Sequence, residues 1–199
     1  LRMLAHYMND EEYTNEVTNG DIHTANQKAA GLKSRDQAKT FIYAFIYGAG
    51  DAKIGSVVGG GKRLGAELKK RFLDNNPSLK TLRDRVSQAA KRGYLKGLDG
   101  RKIFIRNEHA ALNSLLQGGG AIVMKRALVQ FYSLLKLNSY DAKIVANVHD
   151  EWQIEVKEDI ADAVGEVAVR CISEAGDYYN MRCPLAGEYK IGEDWSETH

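Results

Sequence analysis

Apolar residues recur at helical spacing through most of this chain and at strand spacing in two short windows, which predicts a mainly helical protein with two hairpins. Leu1 to about Met8 reads as an amphipathic helical fragment. Asp21-Ile22-His23-Thr24 opens a second helix with Asp21 as N-cap, since a carboxylate there can accept from the unpaired N–H groups of the first turn. The strongest helical segment runs from about Arg35 through Tyr47. Phe41, Ile42, Phe45 and Ile46 supply its apolar surface, and Gly48-Ala49-Gly50 ends it. Leu64 to about Asn75 and Ser78 to about Arg92 form two more helices, broken at Asn75-Asn76-Pro77.

Tyr94 to Ile105 reads as a hairpin turning at Asp99-Gly100. A long helix follows from about Ala110 to Lys136, interrupted in pattern by Gly118-Gly119-Gly120. Each of these glycines costs about 1 kcal/mol relative to Ala inside a helix, so the run is expected to end it. Either it is a loop break between two helices, or it lets another backbone or a nucleic-acid groove approach closely. Ile144 to Val148 and Trp152 to Val156 form the second hairpin, with Trp152, Ile154 and Val156 alternating against Gln153 and Glu155. Ile160 to about Ala175 is an amphipathic helix that presents Ile160, Val164, Val167 and Cys171 on the face that would back the sheet.

Composition adds bounds rather than a function. With 199 residues, 44% hydrophobic, 27% charged and two prolines, the chain has the balance of a soluble globular protein. No apolar run approaches the roughly 18 to 20 residues of a membrane helix and no signal peptide is present, which predicts a cytoplasmic protein with no membrane partner. Cys171 and Cys183 lack a C-x-x-C spacing or a nearby His, so they are expected to be reduced thiols and not zinc ligands. The first residue is Leu1, not Met, which leads us to expect a piece of a longer protein.

Charge is distributed unevenly. From Lys62 to Arg106 there are fourteen Lys/Arg against Glu67, Asp74, Asp84 and Asp99, whereas from Asn147 onward Lys157, Arg170, Arg182 and Lys190 face thirteen acidic residues. A basic part beside an acidic part suits a protein that grips a polyanion with one and does metal chemistry with the other, although solvated faces would give the same counts.

Two constellations carry candidate chemistry. Arg35, Lys39, Tyr43 and Tyr47 recur every fourth residue, so two cations and two phenols share one gently drifting stripe of a helix. A triphosphate needs positive charge along its phosphates and a flat apolar surface further on for its sugar and base, and a helix rising about 1.5 Å per residue spaces these groups to match. A core-facing aromatic pair with two snorkelling cations is the alternative. The second constellation is Val148-His149-Asp150-Glu151, where Asp150 sits at the tip of a hairpin and suits an oxygen ligand for Mg²⁺, or is simply an acidic surface turn. Gly59-Gly60-Gly61-Lys62 is not a Walker A loop, because Ser56 and Arg63 stand where that motif needs Gly and Ser or Thr. Asn113 and Gln117, four apart, could read minor-groove acceptors such as purine N3 and pyrimidine O2.

Together, Arg35-x-x-x-Lys39-x-x-x-Tyr43-x-x-x-Tyr47-Gly48, then Val148-His149-Asp150-Glu151, then Trp195-x-x-x-His199 closely resemble the family A (polymerase I type) DNA polymerases. The runs from Phe41 to Gly50 and from Lys96 to Lys102 look like the replicative enzymes of podovirus phages. The resemblance implies an α+β fold: mainly helical fingers (19–95), flanked by palm segments (1–18 and 96–199) with a small antiparallel sheet backed by helices. It implies that His23, Arg35 and Lys39 contact the phosphates of the incoming dNTP, that Tyr43 lies against its sugar and base, and that Tyr47 lies at the nascent pair and template. A Tyr at position 43, where the family uses Phe or Tyr, implies tolerance of 3′-dideoxy nucleotides.

It further implies that Asn113 and Gln117 contact the primer-template minor groove, that Arg2 lies near the primer end, and that Asp150 is one of two metal-binding aspartates. The resemblance also implies that His149 and Glu151 support Asp150 and Lys39 in the catalytic set, that the cofactor is Mg²⁺, two ions in the complete enzyme, and that the partners are primer-template DNA, dNTP, the remainder of a polymerase chain (thumb, exonuclease, upstream palm) and a candidate processivity factor. If the source is viral, the location is the host cytoplasm.

The family's second aspartate belongs to a motif Asp-x-Ser-x-x-Glu-Leu-Arg that would end at Leu1-Arg2. Two ions about 3.5 to 4 Å apart need at least two bridging carboxylates, so these 199 residues are expected to be inert alone. Two other readings stand beside this one. A non-catalytic nucleic-acid-binding module would keep the basic part without chemistry, and a related single-subunit RNA polymerase would share the palm; Tyr47-Gly48 and Val148 to Glu151 favour the DNA enzyme.

Overall fold

The structure, a computed structural model, describes residues 1–198. The chain divides into two compact units, residues 1–118 and Gly119 onward, each containing one two-stranded antiparallel sheet.

The first unit is helical: α1 (Arg2–Met8), α2 (Glu11–Thr18), α3 (Ile22–Ala30), α4 (Arg35–Ile46), α5 (Asp51–Val57), α6 (Lys62–Asp74) and α7 (Pro77–Ala90). Its helix starts follow local chemistry. Asp10 accepts from the Tyr13 N–H at 2.9 Å, Asp21 from the His23 and Thr24 N–H groups, Ser34 from the Gln37 N–H at 3.2 Å, and Pro77 occupies the first turn of α7.

Two of these helices are not predicted from apolar spacing. In α2 only Tyr13 is buried, so its periodicity is weak and its signal is the Asp10 cap followed by Glu11 and Glu12. In α5 only Ile54 and Gly55 are buried. That short helix is held from outside: Lys69 of α6 pairs with Asp51 at 2.9 Å and donates to the Ala49 carbonyl at 2.6 Å. Gly65 lets the two helices meet, because a Cβ there would stand 1.8 Å from the Asp51 carbonyl oxygen.

The core behind α4 is aromatic. Phe41 and Phe45 meet Phe72 of α6 edge-on, with ring centroids 5.1 and 5.5 Å apart, and Ile42, Ile54, Leu68 and Leu79 are buried with them. After α7 come β1 (Tyr94–Lys96) and β2 (Lys102–Phe104), paired Tyr94 to Phe104 and Lys96 to Lys102, with the turn at Asp99-Gly100 as expected.

Helix α8 (Ala111–Leu137) then runs 27 residues without a break. This corrects the expectation that Gly118-Gly119-Gly120 ends the helix. Buried Leu112, Leu115 and Leu116 precede the glycines and buried Ile122, Val123, Ala127 and Phe131 follow, so packing on both sides outweighs the propensity cost. Gly118 serves close approach: a Cβ there would come 3.0 Å from the Ile103 side chain of β2.

In the second unit, β3 (Ala142–Val148) and β4 (Glu151–Val156) pair from Ala142–Val156 to Val148–Glu151, with an irregularity between Ile144 and Ala146 that leaves Val145 exposed. Trp152 stacks on Phe131 of α8 at 5.5 Å, which seats the hairpin on that helix. The alternation expected in β4 is blurred, because Glu151 and Gln153 are half-buried as well. Their cover comes from the C-terminal helix α10 (Trp195–Thr198): Trp195 Nε1 donates to Glu151 at 2.8 Å and Thr198 Oγ1 to Gln153 at 3.3 Å.

Helix α9 (Ala161–Tyr178) starts as expected, but its buried line is Ala161, Val164, Ala168, Cys171 and Ala175, while Ile160 and Val167 are only half-buried. The segment after α9 folds back along it, with the Tyr189 ring against Gly165 and its hydroxyl donating to Asp162 at 3.0 Å. Cys171 and Cys183 are buried. Among the described residues no helix is long and apolar enough to cross a membrane.

Candidate functional site

In the first unit the α4 stripe faces solvent. Arg35 and Lys39 are exposed, and Tyr43 and Tyr47 are 40% and 57% exposed while Phe41, Ile42, Phe45 and Ile46 on the reverse face are at most 6% exposed. The core-facing alternative for the two tyrosines is therefore removed.

His23, on the first turn of α3, lies beside this stripe, its ring centroid 6.2 Å from that of Tyr43. Asp21 links the two helices. One carboxylate oxygen accepts from the His23 N–H at 3.1 Å, and the other accepts from Arg35 Nε at 2.7 Å and from Thr24 Oγ1 at 2.8 Å. The Arg35 guanidinium and the Thr24 hydroxyl hold the Asp21 carboxyl well below the usual carboxylate range. Burial pushes the His23 imidazole below its ordinary value, and the positive charges of Arg35 and Lys39 push the same way against Asp21. His23 Nδ1 is buried with no hydrogen-bond partner among the described residues, so the ring's other nitrogen is the one available for a ligand.

Tyr47 caps α4 at its C-terminal end, and its hydroxyl accepts from Gln117 Nε2 of α8 at 3.3 Å. The sequence puts these residues 70 apart, and the fold joins them. Asn113 lies one turn before Gln117, with its Oδ1 buried and lacking a donor among the described residues. Arg2 stands half-buried at the start of α1.

In the second unit, His149 and Asp150 form the two-residue turn between β3 and β4, with His149 at φ 55° and both residues exposed. Glu151 opens β4 and is engaged by Trp195 and Gln153, so its carboxylate is oriented while that of Asp150 projects into solvent. Among the described residues no group of three or more His, Cys, Asp or Glu is placed to hold a metal ion. His199, the last residue of the terminal motif, lies outside the described residues.

Asp21 is the residue whose site role the sequence does not disclose. It reads as a helix cap, and nothing in the spacing of fourteen residues to Arg35 announces the ion pair.

The sequence model of DNA polymerase family A matches residues 1–197. The chain belongs to DNA polymerase family A. Its relatives in that family include the DNA-directed DNA polymerases of Enterobacteria phage T3 and Escherichia phage T7, each 44% identical over the whole of this chain, and that of Escherichia phage Phieco32, 46% identical over 94% of it. The chain spans 32% of each, about a third of the length of the relatives it matches. A solved structure described as the POL domain of Pol1 from M. smegmatis, in complex with DNA primer-template and dNTP, matches with a TM-score of 0.81 over 92% of this chain and 36% of that one. At 22% identity this likeness speaks for a shared fold.

Proposed function

We propose that this chain supplies the dNTP-binding face and one metal-binding aspartate of a DNA-directed DNA polymerase, with fingers at 19–95 and palm segments at 1–18 and 96–199. The observation that carries the reading is the exposed α4 stripe with His23 beside it: three groups able to hold phosphates, followed along one face by two phenols. Arg35 and Lys39 bind the triphosphate as charge-assisted donors. Burial and the positive charges of Arg35 and Lys39 favour neutral His23, and with Nδ1 buried and without a partner among the described residues it carries its proton on the other nitrogen, because an orphaned acceptor is less costly than an orphaned donor. It therefore donates to a phosphate oxygen.

Tyr43 packs against the sugar and base, and its phenol accepts 3′-dideoxy nucleotides. Tyr47 bounds the nascent pair. Its bond to Gln117 supports placing Gln117 and Asn113 on the same DNA-facing surface, where their amides donate to minor-groove acceptors. Arg2 lies toward the primer end.

The reaction is attack of a primer 3′-hydroxyl on the α-phosphate of dNTP: the O3′–Pα bond forms as the bond from Pα to the bridging oxygen breaks, the hydroxyl proton passes to solvent, and pyrophosphate leaves. Lys39 Nζ donates the proton that the pyrophosphate oxygen takes up as it leaves. Mg²⁺ fits the described residues only in part. Asp150 offers one exposed carboxylate, Glu151 and His149 support the turn, and no further ligand set gathers there. For the same reason the 199 residues alone are expected to leave a primer unextended, and the remainder of a polymerase chain is the required partner. Primer-template DNA, dNTP and a processivity factor complete the proposed partners, acting in the cytoplasm of an infected host.

The test is primer extension by a chimera in which these residues replace the matching third of the Escherichia phage T7 relative, with the isolated chain in parallel. The expected result is templated incorporation by the chimera and none by the chain alone. A folded chimera without incorporation contradicts the reading.

A further inference from the structure

Resting on the nucleotide-binding reading above, we infer that Asp21 is a positioning residue that anchors Arg35 through Nε so that both Nη groups are presented to a triphosphate. A guanidinium has five N–H donors, one on Nε and four on the two Nη atoms. Here the Nε proton goes to Asp21 Oδ2 at 2.7 Å, and the Nη groups donate to no protein acceptor among the described residues.

The anchor is itself fixed. Asp21 Oδ1 accepts from the His23 and Thr24 backbone N–H groups and Oδ2 from Thr24 Oγ1, so the carboxylate is part of the start of α3 and cannot swing with the arginine. One side chain thus ties the α3 turn that carries His23 to the first residue of α4, and the two phosphate-facing groups are held in register.

Arg35 is otherwise a long, rotamer-rich side chain in solvent, 51% exposed, and a ligand would have to order it. Holding its plane in advance lowers that cost. The opposing effect is the negative charge of Asp21 beside a polyanion, which at an exposed position is weakened by water and salt. The two effects have opposite signs when the charge is removed. Positioning predicts weaker nucleotide binding by Asp21→Asn, and simple charge cancellation predicts tighter binding. Asn keeps the helix cap, since Asn and Asp are equivalent there, so the variant isolates the anchor from the stability of α3.

The experiment titrates dATP with magnesium chloride at low salt onto the 199-residue protein and its Asp21→Asn, Arg35→Ala, Arg35→Lys and Asp21→Asn/Arg35→Ala variants, with thermal melts of each. Asp21→Asn is expected to weaken dATP binding about three- to tenfold with no more than the small fall in Tm that losing one exposed ion pair brings, and to add nothing in the Arg35→Ala background. Arg35→Lys, which keeps the charge but cannot be anchored at one nitrogen while presenting others in a plane, is expected to weaken binding at least as much. Asp21→Asn binding dATP equally or more tightly overturns the inference, as does an equal loss with and without Arg35. If none of the five proteins binds dATP, the nucleotide reading falls and this inference with it; if the starting protein binds and Asp21→Asn does not differ, only the role of Asp21 falls.

Discussion

On α4, Arg35, Lys39, Tyr43 and Tyr47 stand on a helix whose reverse side is packed into Phe41, Phe45 and Phe72 and whose first turn is pinned by Ser34 and Asp21. Asp150 stands instead on a two-residue turn of a two-stranded sheet, seated by one aromatic stack between Trp152 and Phe131. The helix face is preorganised by this chain's own residues, down to the plane of one guanidinium. At the hairpin tip Glu151 is oriented by Trp195, and among the described residues no group of three or more His, Cys, Asp or Glu gathers around the exposed Asp150. One stretch of polypeptide thus holds a helix face fixed by packing and pairing beside a hairpin tip whose foremost carboxylate is exposed.

If that contrast is right, breaking the backing should affect the two regions unequally. Phe72→Ala, which opens the buried cluster behind α4, is expected to cost roughly 3 to 5 kcal/mol in denaturant unfolding, while Trp152→Ala at the half-buried hairpin stack should cost clearly less. Equal losses would contradict the asymmetry. Next in size is Lys39→Ala. Lys39 is exposed and, among the described residues, in no ion pair, so its removal should leave stability alone and lower turnover of the polymerase chimera by about a hundredfold in single-turnover kinetics. Unchanged turnover would refute a proton-donor role.

The smallest effect is in the titration of His23. Its folded pKa lies below the ordinary histidine value, so it binds fewer protons folded than unfolded. Its contribution to stability is fully present above the unfolded pKa of about 6.5 and is lost as pH falls through the folded pKa. NMR of the ring should give a midpoint below that of a free histidine, and Arg35→Ala should move it upward, though not all the way, because burial is the larger cause.

Much of this was legible in the residues because it is local. The caps at Asp21 and Ser34, the break at Pro77, the turn at Asp99-Gly100 and the four-residue stripe of α4 depend on neighbours a few positions apart, and each stands where the spacing puts it. What was not legible depends on distant partners. Helix α5 exists through Lys69 and Gly65 of α6, α8 passes its three glycines because leucines and β2 pack against it, and Glu151 is half-buried because Trp195 arrives from 44 residues away. In the site, the stripe and the acidic tip were readable, whereas the Asp21–Arg35 pair and the Gln117–Tyr47 bond were not, since both are made by tertiary packing between helices with no periodic relation.

The proposed activity requires both that Asp150 be a metal ligand for nucleotidyl transfer and that the α4 face be the nucleotide seat. The measurement that tests it most directly is Asp150→Ala in the chimera, read as templated incorporation and as dATP binding on the same preparation. Because Asp150 is exposed on a turn, folding should be unaffected, incorporation should fall about a thousandfold or more, and dATP affinity should stay within about threefold. Undiminished incorporation by Asp150→Ala would rule out Asp150 as a metal ligand for nucleotidyl transfer.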